Sequence, residues 1–220
     1  MAITKVFQLG NSGTIDGKDT MIATYPWSAT TNYGSDTTAV SGRGADMTYQ
    51  SRYMIDFELW KQGLPKKLKF ISPALLEFYL TAKTGTDTLS DFLGYCLTNW
   101  VETEVTWNIW KTGNNWTTAG AQGEGTDFED FFYRQYQNRV TDSVPVASNW
   151  YSLEIPPHAL EKMMSQTYFG IIFMHSINVN NYISIATKEN ATTANRPKLT
   201  ITYEPYIKIF PISAGLGQVR

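Results

Sequence analysis

The sequence predicts an all-β protein: an antiparallel β-sandwich, jelly-roll-like, with one or two short helices. Three observations carry that prediction. Aromatic residues make up 14% of the chain, with 13 Tyr, 11 Phe and 7 Trp. Together with abundant Thr they suit a pleated surface better than a helix. Period-two alternation recurs, most clearly in QSRYMIDFEL at 50–59, where Tyr53, Ile55, Phe57 and Leu59 share one face and Arg52, Met54, Asp56 and Glu58 the other. Such segments return every ten to twenty residues, with turn chemistry between them and few helical stretches.

Taken in order, residues 5–9 suit a short first strand, followed by a Gly/Asn/Ser/Asp-rich turn over 10–17. Residues 19–25 (DTMIATY) alternate as a half-buried strand and stop at Pro26. Asn32-Tyr33-Gly34 is a loop signal in which Gly34 is expected to take a positive φ, and 42–45 reads as another flexible loop. After the strand at 50–59, Gly63-Leu64-Pro65 and the basic 66–69 form a solvated connection. Residues 74–80 alternate with Ala74, Leu76, Phe78 and Leu80 inward, and a polar turn at 84–91 leads to a strand at 92–97. Val105, Trp107 and Ile109 alternate with Thr106 and Asn108, which predicts a strand with one buried face.

Residues 111–126, rich in Gly, Asn and Thr, read as a long surface loop. In 127–136 (DFEDFFYRQY), Phe128, Phe131, Phe132 and Tyr136 fall at helical spacing; a short helix fits, and so do strand-like aromatics. Residues 150–155 (WYSLEI) form a strand ended by Pro156-Pro157, and 157–164 (PHALEKMM) suit a helix with Pro in its first turn. Residues 168–174 and 182–186 alternate and are joined by an expected hairpin turn at 178–181. The last strand is KLTITY at 198–203, with Leu199, Ile201 and Tyr203 inward. The organisation expected is a single sandwich domain over 1–203 and an extended C-terminal arm over 204–220.

Charge and composition exclude several function classes. A net charge of −2 and a pI near 5.7 leave no electrostatic footprint for nucleic acid or an anionic membrane. No apolar run approaches the roughly 18 residues of a membrane span. The first residues hold no apolar block of signal-peptide length, and the single Cys96 excludes an intrachain disulfide. These features suggest a chain made and folded in a reducing compartment. Asn115-Trp116-Thr117 and Asn190-Ala191-Thr192 match the glycosylation pattern, and in such a compartment both read as chance.

Catalytic parts are scarce. His158 and His175 lie in no metal-ligand spacing, Cys96 falls in a strand, and neither a nucleophile elbow nor a phosphate-cradling loop occurs. Carboxylates remain: Glu102 and Glu104 share a strand face beside Trp100 and Trp107, and Asp127, Glu129 and Asp130 cluster. Glycoside hydrolysis needs two carboxylates facing across a cleft within about 10 Å, and nothing in the spacing places them so. The acidic cluster could hold calcium through oxygen ligands, with a solvated helix start as the competing reading; no other cofactor is indicated. Among aromatics, Trp27, Trp60, Trp110 and Trp116 lie in or beside loops, where an indole can stack on a sugar, anchor a partner, or cap an open end of the sandwich.

The order of segments resembles the DNRLRE-type modules, a disaggregatase-related family of β-sandwiches that includes alginate-binding carbohydrate modules. The residues carrying the resemblance begin with Asp19-Thr20, Asn32-Tyr33-Gly34, RYMIDFEL at 52–59 and SPALLE at 72–77. They continue with Trp100-Val101-Glu102, Val105-Thr106-Trp107-Asn108, WYSLEI at 150–155, Gly170 and the closing RPKLTITY at 196–203. The resemblance spans about 19–203. It departs at Ile55, where the family often has a basic residue, and at 128–146, which reads as an insertion. It implies a non-catalytic module that binds a polysaccharide or decorates a larger assembly.

Beyond the last family strand, Tyr206, Ile207, Ile209, Phe210 and Ile212 form an apolar run interrupted by Pro205 and Pro211. Burying each such side chain yields on the order of 1.5–3 kcal/mol, and the prolines disfavour a helix. The expectation is an extended arm docking on a neighbouring subunit rather than folding back. A binding sandwich made without disulfides suits a bacteriophage structural protein, made in host cytoplasm and displayed on the virion. The leading expectation is therefore a homo-oligomeric capsid decoration, neck or fibre component that contacts other virion proteins and could bind surface polysaccharide. A carbohydrate-binding module, located extracellularly, is the alternative, and a polysaccharide lyase or hydrolase the third.

Overall fold

The computed structural model describes residues 1–10, 17–24, 28–44, 50–85, 91–130, 147–175 and 181–206. Its first strands are β1 (Ile3–Gln8), β2 (Lys18–Ala23), β3 (Thr38–Arg43), β4 (Gln50–Asp56), β5 (Leu68–Phe70), β6 (Ala74–Thr84) and β7 (Asp91–Cys96). A small hairpin, β8 (Ile109–Lys111) and β9 (Asn114–Asn115), precedes β10 (Phe128–Asp130) and β11 (Asn149–Ile155). The helix α1 (Pro157–Met164) then leads to β12 (Ile171–His175), β13 (Asn181–Ala186) and β14 (Lys198–Pro205).

All strand pairings among the described residues are antiparallel. One layer runs β1–β14–β6–β11, with β5 beside the end of β14; the other runs β2–β4–β12–β7–β10. β3 and β13 pair with each other and join the layers, β13 along the far end of β6 and β3 through Gly42 and Arg43 of its own end against β4. The inward faces meet in a core where Phe78 of β6 lies edge-on to Phe173 of β12 at 5.3 Å. This is the predicted sandwich, built by alternation that turns one face of each strand inward.

The layer containing β4 departs from one-sided burial. Its strand β2 is buried on both faces, and so is β4 except for Gln50 at its start. Tyr53 and Ile55 face the main core, while Met54 joins Ile22, Ile172 and Cys96 in a second core on the opposite side. Trp100, Val105, Trp107, Trp116 and Ala121 complete that second core from the segment between β7 and β10. Residues expected to form a surface loop thus cover a sheet.

Several sequence expectations change in consequence. Residues 105–108 form turns and irregular backbone rather than a strand, because Val105 and Trp107 are held by the second core and not by a ladder. Asp127 begins no helix: β10 pairs with β7 from Phe128 to Asp130, and residues 131–136 lie outside the described set. β12 and β13 form no hairpin, since β12 pairs with β4 and β7 whereas β13 pairs with β3 and β6. Residues 38–43 form the strand β3, and 68–70 form β5 within a stretch expected to be solvated. α1 takes the predicted bounds. β14 continues to Pro205, two positions beyond the expected end of the domain strand.

Candidate functional site

The polar residues nearest the tryptophan segment form a seam. The Tyr53 hydroxyl donates to Asp19 Oδ2 at 2.7 Å, and the Lys188 amide donates to the same oxygen at 3.0 Å. Asp19 returns its own amide to Glu102 Oε1 at 2.8 Å, and Lys188 Nζ donates to Glu102 Oε2 at 2.6 Å. Burial pushes the Asp19 carboxyl up to about 7, although Tyr53 and Lys188 pull it down. Burial likewise raises Glu102 against the opposing pull of Lys188.

One residue earlier on β2, Lys18 Nζ donates to Asn99 Oδ1 at 3.1 Å and to the Trp100 carbonyl at 2.7 Å, and it sits 4.5 Å from the Trp100 ring centroid. Its counter-charge is Asp56, directly opposite on β4 at 3.6 Å. Asn32 closes the seam by donating to the Glu102 and Val105 carbonyls at 2.6 and 2.8 Å. Gly34 is required here by close approach rather than by a positive φ: a Cβ would run into the Glu102 carbonyl. These groups satisfy one another, so the seam fixes a segment onto a sheet.

The tryptophan segment is held from within as well. Trp100 Nε1 donates to the Phe169 carbonyl and Trp116 Nε1 to the Thr106 carbonyl, each at 3.0 Å. Arg52 of β4 points into this side, donates to the Gly120 carbonyl, and lies 5.3 Å from the Trp107 ring centroid. Burial lowers its guanidinium to about 10, still charged near neutrality. Gly120, at φ +81°, passes against the Trp107 ring where no side chain would fit.

Of the three sequence-nominated tryptophans among the described residues, the structure brings none together as a platform. Trp116 is interior, 4% exposed, and packs in the second core against the sheet rather than at an open end of the sandwich. Trp110 is half-buried against the second core with Lys111 Nζ 4.5 Å from its ring centroid. Trp60 is 37% exposed in a 3-10 turn, and Lys61 Nζ lies 4.8 Å from its ring centroid. Trp27 lies outside the described residues, as do Ile207, Ile209, Phe210 and Ile212 of the arm. Tyr206 is described and exposed, its amide donating to the Lys67 carbonyl at 3.1 Å.

The nominated carboxylates whose side chains are described are engaged in folding contacts; the Asp130 side chain lies outside the described set. Asp127 is buried and accepts the amides of Thr117, Thr118 and Gly123 at 2.9–3.0 Å. Glu104 accepts the Thr112 amide at 2.7 Å, which holds its carboxyl below the usual range. Glu129 pairs with Lys162 of α1 at 3.3 Å. No group of three or more metal-ligating side chains occurs among the described residues. His158 is exposed on α1. Cys96 is buried, its thiol pushed up to about 12 by burial, and it is inert in that form.

An aromatic pair that sequence reasoning passed over lies on the outer face of the β1–β14–β6–β11 layer. Tyr79 and Trp150 are direct cross-strand partners, both half-buried, with ring centroids 5.6 Å apart at 66°. Lys198 Nζ of β14 lies 4.1 Å from the Trp150 centroid. The signal was present: in WYSLEI the tryptophan shares parity with Ser152 and Glu154, the outward positions. No helix among the described residues is long and apolar enough to cross a membrane. No family model matches the chain, and no curated protein matches it.

Proposed function

We propose that the chain is a non-catalytic structural and binding protein of a virion surface, a capsid decoration, neck or fibre component with the sandwich as its rigid head. The observation that carries the non-catalytic reading is the engagement of the carboxylates. Glu102 is bound by Lys188 and the Asp19 amide, Asp127 by three amides and Glu104 by one. A general acid or nucleophile must instead present an oxygen to substrate.

The virion setting is supported by the resemblance to modules that decorate assemblies and by a fold with its one thiol buried and no disulfide to form. Tyr206 leaves the sheet exposed, and the apolar sequence after it suits attachment to a neighbouring copy or virion protein. The test is incorporation into particles by the full chain and by a form ending at Pro205. The full chain should co-sediment with particles and the shortened one should not, with equal urea midpoints; equal incorporation of both would sink the docking arm.

The alternative, a carbohydrate-binding module, is favoured by the exposed Trp60 and by the Tyr79–Trp150 pair. Release of oligosaccharides from a polysaccharide, lost on Glu102→Gln, would overturn both readings in favour of a lyase or hydrolase.

A further inference from the structure

The two outer faces of the sandwich differ. One is covered by the tryptophan segment, whereas the outer face of β1–β14–β6–β11 carries exposed Val6 (57%) and Leu75 (36%) beside Tyr79 and Trp150. The strand registers set these residues in rows. Tyr79 stands opposite Trp150; the next row is Lys198, Glu77 and Ser152; the third is Val6, Thr200, Leu75 and Glu154. Rows on one face are about 7 Å apart, so the strip extends about 14 Å from the ring pair.

We infer that this strip binds an uncharged polysaccharide chain, with Trp150 and Tyr79 stacking on sugar rings and the Lys198–Glu77–Ser152 row meeting the hydroxyls. Aromatic rings give the apolar C–H faces of a sugar a surface, and charged or hydroxyl side chains beside them supply both donors and acceptors. Charge decides the ligand class. The strip sets the carboxylates of Glu77 and Glu154 against the single ammonium of Lys198, so it has no excess positive charge for an anionic polymer. Protein interfaces are poorest in charge at their centre, whereas here Lys198 and Glu77 stand next to the aromatic pair. The ammonium over Trp150 can turn toward Glu77, its direct partner on β6, and free that ring face.

The inference rests on the binding part of the proposed function and gives it a site. The test is native electrophoresis of the full chain through gels containing soluble mixed-linkage β-glucan, xyloglucan, galactomannan or, for comparison, alginate. At least one neutral polysaccharide should retard the protein, and Trp150→Ala should weaken apparent affinity at least about tenfold. Ser152→Arg, an outward substitution that obstructs the strip without touching the core, should do the same, while His158→Ala, at an exposed position of α1, should not. Four results would overturn it: no retardation by any neutral polysaccharide, retardation only by alginate, retention of binding in both strip variants, or a dimer that Ser152→Arg converts to monomer. The last assigns the face to a second copy. None of these bears on particle incorporation, and sugar release in the same gels would count against the non-catalytic reading instead.

Discussion

Lys188 Nζ donates to Glu102 Oε2 across 2.6 Å, joining residues 86 apart in sequence. Through this contact the turn after β13 is fastened to the segment that carries Trp100 and Trp107, with Asp19 of β2 touching both partners. The pair is mostly shielded, at 13% and 17% side-chain exposure, so it behaves more like an interior ion pair than a surface one.

Removing one partner is therefore expected to be worse than removing both. Lys188→Met should destabilise by about 1–3 kcal/mol by leaving Glu102 short of a cation. Lys188→Met with Glu102→Met should cost less than the two single changes summed. Urea denaturation of the four proteins closes the cycle, and strict additivity would show that the contact contributes nothing specific.

Asp19 gives the fold a pH dependence of definite sign. Burial raises its carboxyl from 3.8 to about 7, so the folded chain keeps a proton that the unfolded chain releases. Stability from this group is complete below the unfolded value and falls as pH rises from about 4 to about 7. Asp56 and Glu102, both pushed up mainly by burial, act in the same direction. Urea midpoints of Asp19→Asn across that range should be flatter than those of the parent; an unaltered slope would remove Asp19 as the source.

Two tryptophans that looked alike in sequence should respond very differently. Trp116→Ala removes an interior indole and its hydrogen bond and should cost about 3–5 kcal/mol. Trp60→Ala should stay within about 1 kcal/mol, because much of that ring is already in water. Thermal melts decide this, and comparable losses would contradict the placement of Trp116.

Gly120→Ala combines two faults, a positive φ and a methyl directed at the Trp107 ring. A loss of more than about 2 kcal/mol is expected, with tryptophan emission shifted to the red as the second core loosens. Emission and stability both unchanged would mean that the segment repacks freely.

How far the sequence exposed this architecture depends on what each residue packs against. Alternation at 74–80, 150–155 and 198–203 was legible because those strands carry one inward face of ordinary period two, whereas 50–56 alternates in sequence and is buried on both faces. β3 (TAVSGR) escaped because Gly42 and Ser41 resemble a loop, while both are buried where β3 bridges the layers. Residues 105–108 read as strand and 111–126 as surface loop, whereas their burial comes from a second core that has no sequence period. Trp116 illustrates the limit: Gly, Asn and Thr neighbours signal exposure, yet tertiary packing takes the indole inside. The ring pair Tyr79–Trp150 depended on a register that places two strands side by side, which neither strand declares alone.

The β8–β9 hairpin has an exposed tip at Thr112-Gly113, with firm attachments on either side of it: Trp100 and Trp107 before, Trp116 and Asp127 after. A chain cut at that tip would keep both new ends anchored to the same sheet, and a foreign peptide spliced there would stand clear of the strip on the opposite layer. The hairpin thus offers a display position in which cargo and the Tyr79–Trp150 strip do not compete for space.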